Sequence, residues 1–240
     1  MKKVTVIVII LLISNNLFAQ EVSDCYKCSN EKLTTIDISS KSIDEISLIR
    51  NEIYARNGYR FKDWNLQEYF ENKNWYKVLE DNNHVKLNKI EKENVVFLQK
   101  REKKLRKKRL ALMNQLILFK KLVLSNDTLN LKKDFKINFF YSSIGDLKEL
   151  LIRINLNDLN WYKNTGIYKV RVDNGFVEKV FSLRIDSKQV VLSYSFMSMS
   201  EIIEGFDVFS EYMSEDEYAI WWYFKFENGK LMLVNTESAG

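Results

Sequence analysis

The hydrophobic period of this chain changes once, and that change limits the fold more than any other feature. Up to about Asn155 the apolar residues recur at helical spacing. Ile43, Ile46, Ile49 and Ile53 do so behind Ser42-Ile-Asp-Glu45, which reads as a capping box. Gly58 follows as the left-handed residue that closes a helix from about Ile43 to Asn57, with Tyr59 as its apolar contact. Leu66, Tyr69 and Phe70 form a shorter stripe, and Leu87, Ile90, Val95, Phe97 and Leu98 another. Leu110 to Leu124 is strongly apolar, and one long helix can run through both of the last stretches. Leu147, Leu150, Leu151 and Ile154 place a further helix from Gly145 to Asn155. After Gly166 the pattern turns strand-like. Segments 167–172 and 176–185 flank Asp173-Asn-Gly175, a hairpin turn, and 189–197 follows. Segments 218–226 and 230–235 flank Glu227-Asn-Gly229. Trp222, Phe224 and Phe226 alternate with Trp221 and Tyr223, so that strand is apolar on both faces, as a central strand is. The class is α+β: a small helical N-terminal domain, then helices packed on an antiparallel β-meander.

Hydrophobic residues make up 46% of the 240 and aromatics 13%, which excludes a disordered chain. Proline is absent, so boundaries must be read from Gly, Asn, Asp and charge. Lys2 and Lys3 precede an apolar run from Val4 to Ile13, and the chain then turns polar up to Ala19. This reads as a signal peptide over 1–19, cleaved after Ala19, with export to the periplasm or medium. The run is about half of the ~20 residues a membrane span needs, so no transmembrane helix is expected in the mature chain. A polar leader occupies 20–32, a helical domain 33–99, a basic helical connector 100–109 and an α+β domain 110–240. From Gln20 to Ser125 basic residues outnumber acidic ones 22 to 15. From Asn126 to Gly240 acidic residues lead 17 to 13, which suits two modules of opposite sign.

Cys25 and Cys28 are the two cysteines, spaced Cys-Tyr-Lys-Cys. Outside the cytosol such a pair closes into a disulfide. A thiol-redox pair would sit at a strand-to-helix turn, and no strand precedes this one. A metal site is not expected, because two Cys and the distant His84 fall short of four ligands. Glu215-Asp-Glu217 lacks calcium-loop spacing and reads as an acidic loop. Seven glycines form no phosphate loop, and one histidine gives a Ser-His-Asp or Cys-His system little to build on. No cofactor is expected. Carboxylate pairs for glycoside hydrolysis stay open, because carboxylates are abundant.

Lys100-Arg-Glu-Lys-Lys-Leu-Arg-Lys-Lys-Arg109 has eight basic residues in ten. Lys103, Lys104, Arg106, Lys107, Lys108 and Arg109 are the candidate contacts to a polyanion. The bland alternative is a solvated helix face. The run has no aromatic residue for base stacking and lies behind a signal peptide, so nucleic acid is an awkward partner. Arg50 falls inside the isoleucine arc of its helix and must pair or bind something. It either forms an internal ion pair with Glu91 or Glu68, or joins Arg56 in an anion site with Tyr54 and Asn57 nearby.

The order Arg50-Asn-Glu-Ile-Tyr-Ala-Arg, Gly58-Tyr59, Phe61, Leu66…Tyr69-Phe70, Trp75-Tyr76 and Ile90-Glu…Asn94 resembles the YARHG domain over residues 33–100. The resemblance implies a small bacterial extracytoplasmic domain and brings no established active site. Asn57 stands where the family's name places histidine. Both residues serve at a helix end, His beside the negative pole and Asn as a cap, so a structural role explains the position more simply than catalysis.

These readings lead to an exported cell-envelope protein of unknown specific activity, a binding or interaction module rather than an enzyme. Its partner is an anionic envelope glycan or lipid, or another envelope protein. The alternative is a small-molecule or hydrolytic pocket in the C-terminal domain, using groups such as Tyr168, Tyr194 or Glu201. Helices followed by a meander would suit a cone of the nuclear transport factor 2 or cystatin type. That is an analogy of fold without activity.

Overall fold

A computed structural model describes residues 24–137, 143–175, 177–197 and 217–240. The expected signal segment 1–19, Glu201, Glu215 and Asp216 lie outside them.

The architecture is α+β. Helices α1 (Ile43–Arg56), α2 (Trp64–Glu71), α3 (Lys89–Leu124), α4 (Thr128–Phe135) and α5 (Ser143–Arg153) precede all the strands. Strands β1 (Asn160–Tyr162), β2 (Thr165–Asp173), β3 (Glu178–Ile185), β4 (Val190–Met197), β5 (Tyr218–Glu227) and β6 (Lys230–Ala239) follow. They form one antiparallel sheet in chain order, each strand beside its sequence neighbour.

Helix α1 begins with a complete capping box between Ser42 and Glu45. It ends in a Schellman motif: the Tyr59 N–H donates to the Tyr54 carbonyl and the Gly58 N–H to that of Ala55. Gly58 has φ +80°, and a Cβ there would lie 2.6 Å from Leu79 Cγ, so no other residue fits. Helix α3 starts with the same device, Asn88 and Glu91 capping each other, and runs unbroken for 36 residues. The connector expected at 100–109 is its middle.

Two apolar clusters use different parts of α3. The first joins Ile46, Ile49 and Ile53 of α1 to Val95 and Leu98 of α3, with Cys28, Leu33 and Ile38 from the N-terminal loops. Cys28, within the expected leader, is fully buried there. The second joins Leu116, Phe119 and Val123 of α3 to Leu131 and Phe135 of α4, Leu147 and Leu150 of α5, and the inner sheet face. On that face Leu183, Leu192 and Trp222 lie in register across β3, β4 and β5. Strand β5 lies between β4 and β6, with Trp222 and Phe224 buried and Trp221 and Tyr223 half-buried. The β5–β6 turn, Asn228-Gly229, has positive φ at both residues, the geometry of a type I′ hairpin.

Candidate functional site

In the N-terminal domain the motif residues are tied to one another. Arg50 Nε donates to Glu102 Oε1 at 2.7 Å, across from α1 to α3, and its other nitrogens reach Asn51 and Ser47 at 3.3 Å. The ion pair thus exists, with Glu102 rather than Glu91 or Glu68 as partner. Arg56 Nε donates to Glu52 Oε1 at 2.7 Å, and its guanidinium lies 4.1 Å from the Trp75 ring centroid and 5.0 Å from that of Tyr26. Asp24 accepts from Trp75 Nε1 at 2.6 Å and sits near Arg56 and Lys73. Burial holds the Glu52 carboxyl above its ordinary value in spite of Arg56 and the Cys25 N–H. Tyr54 packs edge-on against Tyr59.

Asn57 Nδ2 donates to the Ile53 carbonyl and to Glu91 Oε1, both at 2.9 Å, closing the helix and bridging to α3. Glu91 also accepts from Ser29 Oγ at 2.7 Å. Asn94, almost fully buried, accepts from the Leu33 N–H and donates to the carbonyls of Cys28 and Glu31. Cys25 and Cys28 are joined by a disulfide beside this network.

The cations of the basic run divide by helical phase. Lys103, Lys104, Arg106, Lys107 and Lys108 are exposed and pair with no carboxylate among the described residues. Leu110, Ile117 and Leu124 continue the Lys103 position at seven-residue steps and are 62%, 49% and 39% exposed. Arg101, Leu105 and Arg109, four apart, turn inward instead, and exposed Lys108, seven residues after Arg101, borders that inner face. Arg109 leaves the outward set: its guanidinium stacks 3.9 Å from the Trp161 centroid, and burial pushes its pKa down.

Inward of that helix face is a cleft of about 250 Å³. Its floor is α3 from Arg101 to Leu112. One wall is Ser39, Lys41 and Ile43 of the N-terminal domain, and the other is Trp161, the β3–β4 turn and Phe226 of the sheet. Trp161 is held in place from behind. It pairs across β1 and β2 with Gly166, where a Cβ would come within 3.0 Å of the indole. Only glycine lets the ring lie flat over that strand.

Tyr168 packs against the second core and Tyr194 is buried within it, its ring 5.2 Å from that of Phe181. Burial raises the Tyr194 hydroxyl, and burial together with hydrogen bonds to Asp146 and Tyr194 raises that of Tyr218. Tyr218 donates to Asp146 Oδ1 at 2.9 Å, linking β5 to α5. His84 is exposed. No group of three or more His, Cys, Asp or Glu side chains among the described residues could hold a metal ion.

A capped helix crossing a second, longer one, stitched by buried Asn and Glu, defines a small helical domain carried ahead of an α+β unit. Residues 23–103 match the family model of the YARHG domain, so the N-terminal part of the chain is a YARHG domain. Such domains are typically found in exported proteins. No helix among the described residues is long and apolar enough to cross a membrane. No curated protein and no solved structure matches the chain.

The cleft was not visible in the sequence. Its residues come from five separated stretches, and the four-residue spacing of Arg101, Leu105 and Arg109 was the one local sign of an inward face.

Proposed function

We propose that this is an exported, non-enzymatic binding protein that docks on an anionic lipid surface of the cell envelope through the outward face of α3. The carrying observation is the row Lys103, Lys104, Arg106 and Lys107, exposed on one rigid helix with no carboxylate partner among the described residues. Cations near an anionic bilayer contribute about 1 kcal/mol each. Leu110, Ile117 and Leu124 beside them favour lipid over a soluble glycan, because apolar side chains enter the headgroup boundary. Pairing with a second copy through this face would set Lys103, Arg106, Lys107 and Lys121 against like charges.

Under this reading Arg50, Tyr54, Arg56 and Asn57 shape the domain rather than contact the ligand: Arg50 pairs with Glu102, Arg56 with Glu52, Asn57 caps α1 and Tyr54 packs on Tyr59. The binding reading is preferred to a hydrolytic pocket in the sheet because Tyr168 and Tyr194 serve the core. Export after cleavage behind Ala19, and modules meeting near residues 100–109 within α3, complete the proposal.

The test is co-sedimentation with phosphatidylglycerol-containing vesicles, with pure phosphatidylcholine as control. Binding should appear only on the anionic vesicles and fade at high salt. The triple variant Lys103→Gln, Lys104→Gln, Lys107→Gln should weaken it by roughly 100-fold. Equal binding to both vesicle types, or an unaffected triple variant, contradicts the reading.

A further inference from the structure

The cleft between the two domains is lined by five cationic side chains and one carboxylate, Asp186. Arg101, Lys108, Arg109, Lys41 and Lys188 line it. The acidic groups nearby are fewer and mostly engaged. Asp186 accepts from the backbone N–H groups of Lys188 and Gln189 and sits 3.8 Å from Arg184. Glu45 caps α1 and lies 4.0 Å from Lys41, and Asp44 acts on Arg109 only through its field. Arg101, Lys108 and Lys188 form no ion pair among the described residues.

Arg101 carries the sharpest sign. Its Nε–H is shielded from solvent and has no acceptor among the described residues. A buried donor left without a partner costs free energy, and charged donors cost most. An oxyanion is the acceptor a guanidinium matches best, because carboxylate and phosphate oxygens take two parallel N–H bonds. Opposite the cations the cleft is apolar, with Trp161, Leu105, Leu112 and Phe226. The indole is pre-placed between Arg109 and the Gly166 backbone, so a ligand stacking on its edge would not have to order it first. The volume, about 250 Å³, lies just under the usual range for ligand sites and suits one ring with its acid group.

We propose that this cleft binds a small organic anion, a carboxylate or phosphate on a compact planar or apolar body. Arg101, Lys108 and Lys188 hold the oxyanion, and Trp161, Leu105 and Phe226 hold the body. The site faces inward from α3; Lys108 borders both faces, whereas Arg101 and Lys188 belong to the cleft alone. Because α3 and the walls belong to both domains, an occupant would also fix one domain against the other.

The test is calorimetric titration of the purified protein with phenyl phosphate and benzoate, and with inorganic phosphate and benzylamine as controls. Both aromatic anions should bind with one site per chain. Inorganic phosphate should bind about tenfold more weakly or worse, for want of apolar contact, and benzylamine not at all. Arg101→Met should weaken phenyl phosphate by about tenfold or more, with Arg101→Lys between it and the parent. Trp161→Ala should weaken the aromatic anions but leave inorganic phosphate unchanged. Lys103→Gln with Lys107→Gln should leave phenyl phosphate affinity unchanged, and Arg101→Met should leave vesicle binding unchanged, so the two sites fail separately. Melting temperatures confirm that each variant is folded. Absence of binding by both aromatic anions, benzylamine binding as tightly as benzoate, or a folded Arg101→Met with undiminished affinity overturns the proposal.

Discussion

The two ends of α3 are held by opposite kinds of chemistry. At its N-terminal end Glu91, Asn94 and Glu102 are buried and face Asn57, Ser29 and Arg50. The apolar cluster beside them is small and aliphatic. At its C-terminal end Phe119 lies 5.0 Å from Phe224 and 5.2 Å from Phe135, in a large core without a buried charge on the helix. One helix therefore joins a polar-stitched domain to an apolar one. A small domain cannot bury enough apolar surface to be generous with it, so directional bonds set its geometry. The larger unit relies mainly on buried apolar area, with few polar ties such as Tyr218 to Asp146.

That contrast should break most visibly in the apolar end. Phe119→Ala removes a fully buried ring and should cost about 3–5 kcal/mol in denaturant unfolding of the sheet domain. Amide exchange in α1 should change far less than in β3 and β4. A comparable loss of protection in α1 would show that the two cores unfold as one.

The polar end should respond to single atoms. Arg50→Met alone strands Glu102, and Glu102→Leu alone strands Arg50. Each should cost about 1.5–3 kcal/mol, while the double variant should recover much of the loss. A double variant as unstable as the sum of the singles would place the energy in packing instead. Smaller still, Ser42→Ala should cost about 1 kcal/mol by removing the α1 cap.

Acid should distinguish the two ends as well. Burial opposes the Glu45 charge, but hydrogen bonds from Ser42 outweigh it and hold the carboxyl below its ordinary value. Lys27 lowers Asp37 and Lys32 lowers Glu93 in the same domain. A depressed carboxyl adds stability above its unfolded value, and that stability is lost as pH falls through the native value. Glu52, held high by burial, acts in the opposite sense. Amide exchange at falling pH should therefore open α1 before β3 and β4, and Glu45→Gln should flatten that acid limb. Simultaneous opening would erase the distinction.

What could be read from the sequence followed the same division between local and distant. The bounds of α1 were legible because Ser42, Glu45, Gly58 and Tyr59 act within a few residues of each other. The meander was legible because Asn174-Gly175 and Asn228-Gly229 announce their turns. Helix α4 was missed. It is eight residues long, exposes Leu129, and its sign was Asp127 capping Asn130. Strand β1 is three residues long, too short to show a period. Arg50 was recognised as needing a partner, but choosing Glu102 requires the register of α1 on α3, which no local pattern contains. The cleft was hidden for the same reason.

The split of cations into an outward and an inward set depends on α3 being continuous through both domains. Spin labels at exposed Lys92 and Lys121 measure this directly by pulsed dipolar spectroscopy. An unbroken helix places the two backbone positions about 43 Å apart, at 1.5 Å per residue, in one narrow distribution. A broad distribution, or one centred well below that distance, would mean that the helix bends between the domains and that no shared rigid face exists.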